Sequence, residues 1–106
     1  MAYTEQVIDQ VWRRARAFTE LNPETWREDE CGAWIRRGDY GQEGSDFGWK
    51  IENVSAGGSD TPENLRAFHH SNGYDRANRR PTCRVTADRT HVPTPEQVRE
   101  PRNRKS

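Results

Sequence analysis

The sequence predicts a small α+β domain, and three features along the chain predict it. The N-terminal segment has apolar residues at helical spacing, and "GWKIEN" at 48–53 alternates apolar and polar residues as a strand does. A proline-started segment with a capping residue then follows a glycine turn. With 106 residues the chain is long enough for one domain. The predicted core is therefore a β-hairpin, a glycine turn and a helix, preceded by an N-terminal helix.

The first predicted element is a helix that begins after Thr4. Thr4 is a favoured N-cap residue, and Tyr3 and Ile8 are placed to form a hydrophobic staple around it. Apolar residues at positions 8, 11, 12, 15 and 18 then form one stripe at helical spacing. Pro23 disfavours helical geometry at the residue before it, so we expect the helix to end near Leu21.

A β-hairpin is predicted next. Residues 31–37, "CGAWIRR", are interpreted as its first strand and residues 48–53 as the returning strand. The segment between them is rich in glycine, serine and aspartate, which is typical of turns and loops. In the returning strand, alternation places Lys50 and Glu52 on the face opposite Trp49.

A second helix is predicted over residues 62–72, after the glycine pair at 57–58. Thr61 is its expected N-cap and Pro62 its first residue. Gly73 is expected to end it in the left-handed conformation.

The remaining chain is divided into a short structured part and a tail. We expect a helical piece over 75–80 and a short strand over 83–87. The domain is predicted to cover residues 1–90. Residues 91–106, which are charged and contain several prolines, are predicted to be a disordered tail.

Apolar composition predicts a small core built on tryptophan. Leu, Ile, Val and Phe are scarce, but each of the four tryptophans can bury a large apolar area. The expected core anchors are Trp12, Trp26, Trp34 and Trp49.

The two cysteines, Cys31 and Cys83, lie far apart in sequence and form no C-x-x-C pair, which argues against a zinc site built from cysteines. The sequence contains no apolar run that suits a signal peptide or a membrane span. We therefore expect a cytoplasmic protein with two free thiols, and a disulfide between the cysteines is the alternative.

The zero net charge conceals an asymmetry. Residues 1–60 carry 12 acidic and 7 basic residues, whereas residues 61–106 carry 5 acidic and 10 basic residues. A basic C-terminal half suits contact with phosphates, although arginine-rich surfaces are also common without a ligand. The candidate nucleic-acid-binding residues are Arg66, Arg76, Arg79, Arg80 and Arg84.

The predicted element order and three stretches of sequence resemble the HNH endonuclease family. The stretches "TWREDECGAWIRRGDYG" at 25–41, "GWKIEN" at 48–53 and "GGSDTPENL" at 57–65 are similar, in this order, to segments of one bacterial HNH group. The resemblance covers roughly residues 5–80 and implies a ββα-metal core, in which a divalent metal stabilises the leaving oxygen and a histidine activates water.

The resemblance also implies which positions would form the site: Glu52, Asn53, Asn64 and Gly73. The family's metal-binding Asp falls on Glu52 and its general base on Asn53, whose amide has no useful basicity near neutral pH. The family's helix ligand falls on Gly73, which has no side chain. The Asn that braces the family's metal loop is present as Asn64, but the loop before the glycine pair is shorter than in the family.

An alternative metal site combines Glu52, His69 and Asn72. In the predicted helix His69 lies on nearly the same side as Leu65, which faces the hairpin. The competing interpretation, which we favour, is that His69 packs against the hairpin and hydrogen-bonds a backbone carbonyl.

The sequence therefore predicts a catalytically degenerate HNH-like protein, a pseudoenzyme that binds either nucleic acid or a protein partner as an inhibitor or accessory module. No cofactor is expected in this interpretation. The alternative function is an active metal-dependent endonuclease that uses Glu52 and His69 and requires a divalent metal.

Overall fold

A computed structural model describes residues 3–90 and 100–106, which form one α-helix and four antiparallel strand pairs. The strands pair two by two in chain order, the first with the second, the third with the fourth and so on. The helix, α1, spans Glu5–Arg13, and the strands are β1 (Trp26–Glu28), β2 (Trp34–Arg36), β3 (Trp49–Asn53), β4 (Leu65–His69), β5 (Gly73–Asp75), β6 (Arg80–Thr82), β7 (Val85–Ala87) and β8 (Asn103–Lys105). The predicted α+β class is confirmed, but the predicted hairpin and helix are arranged differently.

Helix α1 begins as predicted and ends early. The Thr4 hydroxyl accepts a hydrogen bond from the Val7 amide at 3.2 Å, which satisfies one of the free donors of the first turn. The helix ends at Arg13 rather than near Leu21. The backbone of Arg16 exchanges two hydrogen bonds with that of Glu28, at 3.1 and 2.9 Å. These bonds need extended geometry, so the chain leaves the helix to meet β1.

The core is built on tryptophan, as the composition predicts. Trp12, Trp34 and Trp49 are fully buried, and the rings of Trp12 and Trp49 lie 5.3 Å apart between centroids. Trp26 is only half-buried and packs edge-on against Phe47. Three of the four tryptophans therefore anchor the interior, and the fourth covers its edge.

The predicted pairing of the first two strands is wrong. Strand β2 pairs with β1, a strand that sequence patterning did not predict, and β3 pairs with β4 instead. Residues 62–72 are not a helix, because Pro62–Asn64 forms a single 3-10 turn and β4 follows it directly. Backbone pairing explains this outcome, since β4 provides partners along the whole length of β3 while burying four of its own five side chains.

The segment after β4 also differs from the prediction. Residues 75–80 form the end of β5, a turn and the start of β6 rather than a helical piece. The Asp75 side chain accepts the backbone amides of Ala77 and Asn78, and such local bonds compete with helix formation. Gly73 is the first residue of β5 and does not take the expected left-handed conformation. The strand predicted over 83–87 is confirmed as β7, which is shorter.

Part of the predicted disordered tail is structured. Residues 91–99 lie outside the described residues. Strand β8 pairs with β7 in the register Val85↔Lys105, and the Asn103 side chain exchanges two hydrogen bonds with the Trp34 backbone, at 2.7 and 2.9 Å. A charged sequence joins the fold here because its backbone and one amide side chain are satisfied, without much apolar burial.

The expectation of two free thiols is wrong, because Cys31 and Cys83 form a disulfide. Strand β7 is held against the loop before β2, since Ala87 N–H donates to the Gly32 carbonyl and the Thr86 hydroxyl donates to the Cys31 carbonyl, both at 3.0 Å. This contact brings the two cysteine Cα atoms to 5.5 Å. The cytoplasmic prediction rested on reduced cysteines, whereas the two cysteines of this structure are oxidised to a disulfide.

Membrane insertion was not expected from the sequence. Within residues 3–90 and 100–106, no helix has the length and apolar character needed to cross a bilayer.

Candidate functional site

Glu52 is used to attach β5 to β3. Its Oε1 accepts the Tyr74 amide at 2.8 Å, and its Oε2 lies 3.0 Å from Lys50 Nζ. A Cβ on Gly73 would lie 3.2 Å from both carboxylate oxygens, so a glycine there leaves room for the Glu52 side chain. The two family-like positions are therefore neighbours in space, but their contact is structural.

Asn53 and Asn64 brace the loop between β3 and β4. The Asn53 amide nitrogen lies 3.1 and 3.0 Å from the carbonyl oxygens of Gly58 and Ser59, and its side-chain oxygen accepts the Ser55 amide at 2.8 Å. Asn64 donates to the same Ser59 carbonyl at 3.0 Å. Both asparagines hold the glycine turn in shape, which is the role that the resemblance implied for Asn64 alone.

His69 is a buried structural residue. Its Nδ1 accepts the Ser71 amide at 3.1 Å, so the ring proton is on Nε2, which donates to the Asp46 carbonyl at 2.8 Å. Burial lowers the pKa of His69 below its ordinary value, against the opposing effect of the Asp46 hydrogen bond. Because both ring nitrogens are engaged, neither has a lone pair free for a metal or for a water proton.

Asn72 is saturated with hydrogen bonds inside the protein. Its amide nitrogen donates to Asp29 Oδ2 at 3.0 Å and to the Val85 carbonyl at 2.9 Å, and its oxygen accepts the amides of Arg84 and Val85. Asp29 also accepts the His69 amide at 2.9 Å. This buried network joins β4, β7 and the loop after β1, and sequence reasoning missed Asp29 entirely.

The alternative metal site is not assembled. In the β3–β4 register Trp49 faces His69 and Glu52 faces Arg66, so Glu52 and His69 lie on opposite faces of the hairpin. Across the described residues, no group of three or more His, Cys, Asp or Glu side chains could hold a metal ion.

Four of the five candidate arginines lie in one part of the fold. Arg76, Arg79 and Arg80 are exposed in the β5–β6 hairpin, and Arg84 is exposed just before β7. Arg66 is separate, because its guanidinium pairs with Glu30 at 3.3 Å and lines a different cavity of about 350 Å³.

A groove of about 830 Å³ lies between three of the strand pairs. Its basic lining residues come from distant parts of the chain: Lys50 from β3, Arg84 from just before β7 and Lys105 from β8. Glu52 is the acidic residue among the described lining residues, and its oxygens are already engaged. We call this the basic groove.

A smaller hollow of about 280 Å³ adjoins the basic groove. Lys105 and His70 line both, and Arg104 lines the hollow. Sequence reasoning missed Lys50, Arg104 and Lys105 as binding candidates. The last two lie in the segment predicted to be a tail, and the only available signal was their high local charge.

Comparisons with protein families, curated proteins and solved structures give no match to this chain.

Proposed function

We propose that this chain is a catalytically degenerate HNH-like protein that binds nucleic acid through the basic groove. The observation that carries the proposal is the convergence on one groove of Lys50, from the β3–β4 pair, with Arg84 and Lys105, from the β7–β8 pair and the residue before it. Lys50 is already paired with Glu52, so Arg84 and Lys105 supply the added positive charge with which a polyanion would form ion pairs.

The charge balance of the chain segments that supply most of the basic groove supports the same ligand class. Residues 70–90 and 100–106 contain eight basic and three acidic residues, and the exposed arginines of the β5–β6 hairpin belong to this set. A phosphate backbone can contact such an array without sequence-specific geometry. We therefore expect binding with little base preference.

Binding rather than hydrolysis is supported by how the family-like positions are used. The polar side-chain atoms of Glu52 and His69 are engaged in internal contacts. The Asn53 amide is not basic enough to activate water. Metal-dependent cleavage needs a ligand set and a base acting together. A scaffold whose site residues instead brace loops is suited to holding nucleic acid without cutting it.

The test is fluorescence anisotropy with labelled single-stranded and duplex oligonucleotides between about 20 and 200 mM salt. We expect micromolar or weaker affinity that falls steeply with salt, since each neutralised phosphate releases counterions. Replacing Arg84 and Lys105 together by alanine should weaken binding at every salt concentration. Replacing Arg76, Arg79 and Arg80 should flatten the salt slope by about 1 unit per lost phosphate contact.

Arg13→Ala is the matched control, because Arg13 is exposed on α1, pairs with Asp9 and does not line the basic groove. Undetectable binding to DNA and RNA at low salt would overturn the nucleic-acid proposal and favour a protein partner, to be sought by pull-down. Plasmid nicking with Mg²⁺ or Mn²⁺ that is lost in His69→Ala would instead favour the active endonuclease.

A further inference from the structure

We propose that the Cys31–Cys83 disulfide is a redox modification site, and that its reduction by a dithiol weakens nucleic-acid binding in the basic groove. This inference rests on the proposed function. It is carried by one juxtaposition: Cys83 lines the basic groove, next to Arg84, and is also one end of the disulfide.

Access favours attack at Cys83. Cys83 is exposed, whereas Cys31 is only partly exposed. A thiolate of the dithiol attacks Cys83 Sγ, which breaks the S–S bond and releases Cys31 as a thiolate that takes up a proton. The second thiol of the reductant then attacks the reductant's own sulfur in the mixed disulfide and releases Cys83. Two electrons pass to the protein, which ends with two thiols, and the dithiol ends as a disulfide.

The disulfide anchors one arm of the β5–β6 hairpin. The first arm, at Tyr74, is held by Glu52, whose Oε1 accepts the Tyr74 amide at 2.8 Å. The second arm leaves β6 at Thr82 and meets the disulfide at the next residue. Reduction therefore removes a covalent tie one residue from Arg84, which lines the basic groove.

A second tie that contains no sulfur remains after reduction. The Asn72 oxygen still accepts the amides of Arg84 and Val85, at 2.8 and 2.9 Å, and its nitrogen still donates to Asp29. The Thr86 hydroxyl still donates to the Cys31 carbonyl. The backbone of Arg84 and of β7 thus stays in place while Cys83 loses its covalent tie to Cys31, so the expected consequence of reduction is lower affinity and not loss of the fold.

The expected change in affinity follows from the loss of preorganisation. When side chains must be ordered on binding, the entropy cost of ordering them weakens the affinity by about threefold to tenfold. By thermodynamic linkage the oligonucleotide must favour the oxidised protein by the same factor. Saturating oligonucleotide should then shift the midpoint potential of the cysteine pair by about −15 to −30 mV, from about 30 mV per tenfold for two electrons.

The experiment compares oxidised protein with dithiothreitol-reduced protein by anisotropy, with far-UV circular dichroism and melting recorded on the same samples. We expect weaker binding by reduced protein and by Cys31→Ser/Cys83→Ser, and no response of that variant to dithiothreitol. Titration in glutathione buffers with and without oligonucleotide should show the linked shift. At one fixed oligonucleotide concentration below saturation, Arg84→Ala, which keeps the cysteines, should show a smaller shift because less of the variant is bound.

The outcomes separate the two proposals. Equal affinity of oxidised and reduced protein, with no shift in midpoint potential, would overturn the redox inference and leave the proposed function standing. Unfolding of the reduced protein would also overturn it, since the disulfide would then be a structural brace. Failure of either form to bind any oligonucleotide would overturn both.

Discussion

The two halves of this molecule are stabilised by different means. The N-terminal region, residues 3–69, contains all eight of the largest fully buried side chains, three of them tryptophans. In the C-terminal region, residues 70–90 and 100–106, Asn72 and Ala87 are the only buried residues among those described. One half therefore buries aromatic surface, and the other is held by hydrogen bonds, a disulfide and backbone pairing.

The different ways in which the two regions are stabilised explain where a ligand can bind. Apolar burial removes side chains from solvent, whereas a region held by Asn72, Asn103 and the disulfide can leave its charged side chains exposed. The three exposed arginines of the β5–β6 hairpin and the residues of β8 illustrate this. One half thus supplies the apolar core, and the other presents a surface with an excess of basic residues.

The largest expected effect is in the N-terminal region. Trp49→Ala should lower the free energy of unfolding by about 3–5 kcal/mol, because the buried ring contacts Trp12 and Tyr40 and its removal leaves a cavity. Thermal and urea unfolding measure the change. Equal melting temperatures for wild type and variant would mean that the aromatic cluster does not carry the core.

The next effect tests whether the C-terminal region depends on its polar network. Asn72→Ala should cost about 2–4 kcal/mol, since the amides of Arg84 and Val85 lose their shared acceptor. Asn78→Ala is the matched control, because Asn78 is exposed in the β5–β6 turn, and it should change stability by only about 0.5 kcal/mol. Similar costs for the two variants would contradict a network-held C-terminal region.

A pH-dependent effect is expected from a polar anchor inside the N-terminal region. Burial raises the pKa of Asp39, but hydrogen bonds from the Ser45 hydroxyl and the Arg36 guanidinium outweigh it, and the pKa lies below its ordinary value. The folded protein binds this proton less readily than the unfolded chain. Asp39 therefore contributes stability above the unfolded pKa of about 4, which is lost as the pH falls through the lower folded pKa.

Melting curves at several pH values test this. Asp39→Asn should melt below wild type at about pH 6, and the difference should shrink toward about pH 2. Glu43→Gln, at an exposed position of the same loop, is the control. A difference that stays constant with pH would show that Asp39 acts through shape and not through its charge.

The smallest effect is expected on the exposed face of α1. Arg13→Ala should leave the free energy of unfolding almost unchanged, because its ion pair with Asp9 is exposed to solvent. Urea unfolding of the two proteins side by side is sufficient to measure it. A loss comparable to that of Asn72→Ala would mean that charged surface, and not burial or buried hydrogen bonding, stabilises the fold.

Sequence patterns predicted the parts of this fold that depend on near neighbours. The Thr4 cap, the apolar stripe through Trp12 and the turn at Gly57, whose φ is +74°, each arise from interactions within a few residues. The chemical argument about Asn53 depends only on its side-chain type. For the same reason the glycine turn and the strand before it were predicted correctly, whereas the element after it was predicted to be a helix and is β4.

The candidate site could be predicted only in part. Arg84 and the hairpin arginines were identified from local charge, and Arg84 does line the basic groove. Lys50 and Lys105 were missed because nothing in the sequence relates positions so far apart. Asp29 was missed because its role is set by the His69 and Asn72 amides, which lie 40 and 43 residues further along.

By itself the sequence determined the α+β class, the start of α1, the burial of three of the four predicted tryptophans and the lack of useful basicity at Asn53. Only the tertiary structure decided that residues 65–69 form a strand, that β2 pairs with β1, and that Cys31 meets Cys83 across a separation of 52 residues. The physical reason is that local propensities are weak compared with the requirement that every buried backbone group find a partner. Which partner is available depends on the whole chain, so the basic groove exists only once the strands have paired.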